Sequence, residues 1–70
     1  MTVARQFGRN LSTARQEAGM TQAQLADRVS IDRAGLSRLE SGKRYPKLDV
    51  VVGLAEAVGV QVRDLLYGIE

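Results

Sequence analysis

Two helix-start signals only eleven residues apart, at Thr21 and Asp32, constrain this chain more than any other feature. Thr21 offers a side-chain oxygen to the free N–H groups of a helix start, and Gln24 three residues on completes a capping box. Met20 before the cap and Leu25 after it stand in hydrophobic-staple positions. Asp32 repeats the device, with Ile31 and Leu36 as its staple pair. The first of these helices ends near Val29 or Ser30, so about three residues join it to the next. Two helices with separate caps and so short a joint cannot form one rod; they must cross at a steep angle. Leu25, Ala26 and Val29 give the buried face of the first, and Leu36 and Leu39 point inward from the second. Arg33, Ala34, Ser37, Arg38 and Ser41 fall on its outer side, and Gly42 closes it.

Helix signals also dominate on either side. Val3, Phe7, Leu11, Ala14 and Ala18 recur at spacings of four, four, three and four, which predicts one amphipathic stripe ending at Gly19. After the basic loop Lys43-Arg44-Tyr45-Pro46-Lys47, a helix is expected from about Leu48 to Val58. Its buried side is read as Leu48, Val51, Val52, Leu54, Ala55 and Val58, with Gly59 as its stop. A last short helix, about Val62 to Tyr67, presents Leu65 and Leu66. No strand-like alternation or internal repeat occurs. The expected fold is all-α, a compact bundle of about five short helices, with residues 1–70 as a single domain.

Composition narrows the chemistry. The 70 residues contain no Cys and no His, which removes disulfides, thiol nucleophiles, imidazole metal ligands and the commonest general base near neutral pH. The eight acidic residues are scattered, so neither a metal site, a cofactor nor an enzymatic role is expected. The longest unbroken aliphatic run is Val50-Val51-Val52, far below the about 20 residues a membrane span takes, so the expected compartment is the cytoplasm. A domain this small hides only about 60% of its unfolded surface, which makes its stability marginal. The formal charge of +2 is unevenly placed: residues 28–47 carry +4 and the remainder −2, which suggests one face for a polyanion.

The stretch Gln22 to Glu40, QAQLADRVSIDRAGLSRLE, resembles the helix-turn-helix of the phage Cro and repressor (XRE-like) family. Gln22, Leu25, Ala26, Val29, Ile31, Leu36 and Leu39 match the family pattern. Arg15 before Gly19, Glu40 with Gly42-Lys43, Pro46, the segment 54–60 and Leu65-Leu66 match it in order and spacing. The resemblance implies a lambda-repressor-like fold with a family core of about 11–66 and a motif at 22–41. It makes 32–41 a recognition helix for the DNA major groove. By resemblance, Gln22 anchors on a DNA phosphate, where a helix N-terminus also favours an anion. Arg33, Ala34, Ser37 and Arg38 match positions that reach base edges: Arg offers a fork to guanine, and Ala can meet a thymine methyl. Lys43, Arg44, Tyr45 and Lys47 would meet phosphates, and Ser41 would add a backbone hydrogen bond. Arg15 and Glu40 match a structural salt bridge between the first helix and the recognition helix.

Two residues depart from the pattern. Ser30 stands where the family usually has Gly in the turn; in a left-handed conformation Ser costs roughly 1–2 kcal/mol more. Gly35 lies inside the recognition helix, where a β-branched or polar residue is commoner. Close approach to a DNA backbone and simple tolerance would each account for it.

The expected function is a sequence-specific regulator of transcription that binds double-stranded DNA as a homodimer on a palindromic operator. One recognition helix reads too few base pairs alone, whereas two copies about 34 Å apart read a palindrome. The C-terminal residues Val50, Val60, Val62, Leu66, Tyr67 and Ile69 are candidates for the dimer surface. From the shortness of the chain, neither a ligand-sensing domain nor a small-molecule ligand is expected. The chain resembles restriction–modification controllers, phage Cro-like repressors or antitoxins. The alternative from another class is a helix-turn-helix module that binds a protein, with weak DNA binding.

Overall fold

The computed structural model describes residues 2–69 and is all-α. Five helices follow one another: α1 (Val3–Glu17), α2 (Gln22–Arg28), α3 (Arg33–Glu40), α4 (Leu48–Val58) and α5 (Val62–Leu65). One apolar core runs through them all. It is built from Phe7 and Leu11 of α1, Leu25 and Ala26 of α2, Leu36 and Leu39 of α3, Val51, Leu54, Ala55 and Val58 of α4, and Leu65 of α5.

Both starts that defined the motif form as expected. Thr21 Oγ1 accepts from Gln24 N at 3.1 Å, and Gln24 Oε1 accepts from Thr21 N at 2.9 Å. Asp32 Oδ1 accepts from Gly35 N at 3.1 Å. The start of α4 is weaker in chemistry. Lys47 occupies its cap position with an extended backbone and gives no side-chain hydrogen bond.

The joint between α2 and α3 repeats the closure used at the other helix ends. Ile31 N donates to Ala26 O at 3.1 Å, as Met20 N does to Arg15 O and Lys43 N to Arg38 O. This six-to-one closure needs a left-handed residue inside it. Gly19 and Gly42 supply that residue at φ +72° and +78°, while in the motif it is Ser30, at φ +58°. Among the described residues Ser30 is the one non-glycine with positive φ. The turn therefore keeps the family geometry and carries the cost of a Cβ.

Other features differ from the sequence reading. Val3 (49% exposed) and Ala18 lie outside the core, and Ala4 and Gly8 are buried instead, because the buried stripe of α1 is rotated toward α3. Leu48 and Val52, read as buried, are 75% and 41% exposed; the core side of α4 is the narrower row Val51, Leu54, Ala55 and Val58. Helix α5 is one turn, and Leu66 is 42% exposed.

Gly8 sets the distance between α1 and the recognition helix. A Cβ there would lie 2.6 Å from Leu39 O and closer still to Glu40 O, both backbone atoms of α3. Nothing in the local sequence announces this contact, since it is made 32 residues away along the chain. Two residues further along α1, Asn10 Nδ2 donates to Leu65 O and Tyr67 O, both at 2.8 Å, which fastens the C-terminal turn to α1.

Two substitutions test this account in opposite directions. Ser30→Gly is expected to stabilise the domain by about 1 kcal/mol, raising Tm by about 4–8 °C in a domain of this size. An unchanged or lowered Tm in a calorimetric scan would remove the strain assigned to the turn. Gly8→Ala is expected to destabilise by about 1–3 kcal/mol in urea titration, because neither backbone can yield without moving α3.

Candidate nucleic-acid interface

The division of α3 into two faces follows from its 3.6-residue turn. Gly35, Leu36 and Leu39 are buried, and Arg33, Ala34, Ser37, Arg38 and Ser41 are exposed on the opposite arc. The structure thus brings together on one surface the four residues expected at base edges and Ser41, expected to bond to the DNA backbone. Ser41 already has an internal bond, its Oγ donating to Arg38 O at 3.2 Å. The loop that follows exposes Lys43, Arg44, Tyr45 and Lys47, extending the cationic surface beyond the C-terminal end of α3.

Gly35 is closely approached by side chains of the protein itself. A Cβ at this position would stand 2.6 Å from Asp32 Oδ1 and 3.2 Å from Arg44 Nη1. The capping carboxylate sits over the Gly35 N–H, and the Arg44 guanidinium folds back from the loop against the same spot. The close approach that Gly35 permits is thus made by the protein's own side chains.

Behind this surface lies a polar node. Arg15 Nε donates to Glu40 Oε2 at 2.7 Å, and Arg15 Nη2 donates to Glu40 Oε1 at 3.1 Å, a two-point contact between α1 and the end of α3. Arg15 Nη1 donates to Met20 O at 2.8 Å, tying in the turn before α2. The two side chains are only 12% and 7% exposed. The hydrogen bonds to Glu40 raise the Arg15 pKa above its ordinary value, against desolvation and with help from the opposite charge. A raised folded pKa means that the stabilisation tied to the Arg15 charge is present below the ordinary Arg value and is lost only as pH rises through the raised one, so Arg15 is charged at neutral pH.

Gln22 is partly buried and joins the node. Its Nε2 donates to Glu40 Oε1 at 3.1 Å. The expected phosphate anchor thus has one of its two amide protons already engaged, a link for which the sequence carries no signal. Of the residues considered for a dimer surface, Val50, Val60, Val62 and Ile69 are partly buried and pack against the core. Leu66 and Tyr67 are exposed, as are Leu48 and Val52 on α4. A shallow groove between α2 and α4, lined by Arg28, Val29, Asp49, Val50, Gly53, Glu56 and Ala57, includes none of the outward residues of α3.

A capped pair of short helices in tight succession, the second outward-facing and cationic, with a third helix clamped behind it, defines a helix-turn-helix domain. A family profile described as a helix-turn-helix domain matches residues 6–66, and the chain belongs to that family, whose members include the XRE-like regulators. The chain is 40% identical over 62 residues to the HTH-type transcriptional repressor RghR of Bacillus subtilis, covering 87% of this chain and 46% of RghR. It is 33% identical over 66 residues to the uncharacterized HTH-type transcriptional regulator y4dJ of Sinorhizobium fredii, covering 94% of this chain and 86% of y4dJ. Among solved structures, the restriction-modification controller protein C.AhdI from Aeromonas hydrophila superposes with a TM-score of 0.85 at 31% identity, covering 89% of this chain and 94% of that one. The chain spans about half the length, or less, of several curated relatives it matches, RghR among them.

The node predicts an asymmetry between single and paired substitutions. Glu40→Ala alone should cost about 3 kcal/mol, since it leaves the Arg15 charge shielded from water without its partner. The pair Arg15→Met with Glu40→Leu should recover most of that loss in urea titration. A pair that stays as unstable as Glu40→Ala alone would show that the ion pair itself contributes net stability.

Proposed function

We propose that this domain is a sequence-specific, double-stranded DNA-binding regulator of transcription that acts as a homodimer on a palindromic operator. The observation that carries the reading is the outer face of α3. Arg33 and Arg38 stand exposed together with Ala34, Ser37 and Ser41, while Leu36 and Leu39 on the other side hold the helix to the core. Such a ridge, cationic and small-residued, suits a major groove, where Arg forks meet guanine O6 and N7. A protein-binding face would instead present large apolar anchors. Lys43, Arg44, Tyr45, Lys47 and Gln22 meet phosphates on either side and set affinity more than sequence preference. RghR is named a transcriptional repressor, and the match to it supports regulation.

Residues 1–70 act as one unit, a reading supported by the single core shared by the five helices. The expected compartment is the cytoplasm, and no helix among the described residues is long and apolar enough to cross a membrane. The dimer surface draws on the exposed apolar side chains Leu66 and Tyr67, extended by Leu48 and Val52, rather than on the partly buried Val50, Val60, Val62 and Ile69. The domain measures 29 Å in its longest dimension, so two touching copies can place equivalent helices about 34 Å apart, one turn of DNA.

Selection of binding sites from random duplexes, followed by titration of variants, tests the reading. Arg38→Ala is expected to relax preference at one base pair per half-site, a loss of about 1–3 kcal/mol in discrimination. Lys43→Ala should weaken all duplexes alike and flatten the log–log salt slope by about 0.9 for each phosphate left without its cation. If both variants behave alike, Arg38 does not read a base. For the dimer, Leu48→Glu should shift sedimentation toward the monomer and remove cooperative binding to the palindrome, leaving half-site binding intact.

A further inference from the structure

The Gln22 amide is where the DNA-facing surface meets the interior. Its Nε2 lies 3.1 Å from Glu40 Oε1. Chemistry alone fixes which end of the amide turns inward: an ionised carboxylate only accepts, so the N–H end must face it. The same oxygen accepts from Arg15 Nη2 at 3.1 Å, and Oε2 accepts from Arg15 Nε at 2.7 Å. Three N–H groups take up most of the acceptor capacity of the carboxylate. Because Gln is neutral, it fills a remaining lone pair without disturbing the charge balance of the ion pair.

A primary amide carries two N–H groups. With one committed to Glu40, the second remains, on a side chain that is partly exposed at the first position of α2. An unanchored Gln would lose its rotamer freedom on meeting DNA; this one has lost it already. We infer that Glu40 is a positioning residue for Gln22, presetting its amide so that the second N–H donates to a DNA phosphate. The inference rests on the DNA-binding reading above and deepens it. The carboxylate that holds α3 at its angle to α1 also aims the anchor at the start of α2, so seating on the backbone and presentation of the recognition helix are coupled.

The side-chain amide of Gln22 reports on this directly in ¹⁵N-labelled full chain, since its two protons give separate signals on one nitrogen. In the free protein the Glu40-bonded proton should exchange with solvent about tenfold more slowly than the side-chain amide protons of exposed Gln61. On titration with a selected duplex, the second proton should shift while the first keeps its position. Glu40→Gln leaves one acceptor oxygen for three donors, so it should abolish the protection and weaken DNA binding about tenfold. Gln22→Ala in that background should then weaken binding little further. Absence of a protected proton in the free protein overturns the inference. So does a protected proton whose neighbour does not move when DNA saturates the protein, and so do losses from the two substitutions that simply multiply. Should Glu40→Gln fail to fold, the wild-type spectra decide alone. A protected proton in a chain that binds no duplex at all would instead overturn the DNA-binding reading, and the positioning role with it.

Discussion

The carboxylate of Glu40 is the constraint on which the rest of this structure hangs. It ends the recognition helix, takes two N–H groups from Arg15 of α1, and takes one from Gln22 of α2. An apolar core alone would hold these helices together but would tolerate rotation and sliding among them, because apolar contact is not directional. A two-point Arg–carboxylate contact is directional, since the fork meets both oxygens in one plane. In a chain whose core is this small, side-chain repacking readily absorbs a few degrees of helix rotation. A partly dry ion pair adds little net stability for its desolvation cost. Its value here is orientation: it selects one placement of α3 among several that the core would accept.

Gly8 acts on the same helix from below. Its missing Cβ lets α1 come against the carbonyl oxygens of Leu39 and Glu40, which brings Arg15, two turns further along α1, within reach of Glu40. Close backbone approach and ion pair therefore belong to one arrangement. A larger residue at position 8 would lift α3 and lengthen the clamp together. The cost is a glycine inside a helix, about 1 kcal/mol relative to Ala, offset by the packing it permits.

What could be read from the sequence divides along a physical line. The caps at Thr21 and Asp32 are local chemistry, written within four residues, and they form as read. Leu25, Leu36 and Leu39 follow from periodicity, as does the outward set on α3, which is simply what remains once the core side is taken away. Leu48 and Val52 mislead because periodicity gives the apolar arc of a helix but not how much of it a neighbour covers. On α4 the apolar arc is wider than the surface presented to it. Gly8, Asn10 and the Gln22–Glu40 bond are invisible in the sequence because each is defined by a partner at least 18 residues away, on another element. Ser30 stands out against the family pattern, but only the backbone shows that the turn keeps its left-handed form and bears the cost.

The same division bears on how such a domain can change its target. On α3 the labour is split almost completely by residue. Gly35, Leu36, Leu39 and Glu40 serve the fold, and Arg33, Ala34, Ser37 and Arg38 make no side-chain bond to it among the described residues. Surface substitutions away from special features usually alter stability by within about 0.5 kcal/mol. The four outward residues are therefore nearly unconstrained by folding, and preference for one duplex over another can move without loss of stability. Gly35 and Ser41 are where this separation fails. Gly35 accommodates the Asp32 cap and the Arg44 guanidinium at once, so a larger side chain there acts on helix start and basic loop together. Ser41 bonds back to Arg38 O and so belongs partly to the end of the helix. A domain built this way separates the placement of its reading helix, fixed by a few partly buried polar atoms and one bare backbone, from what the helix reads.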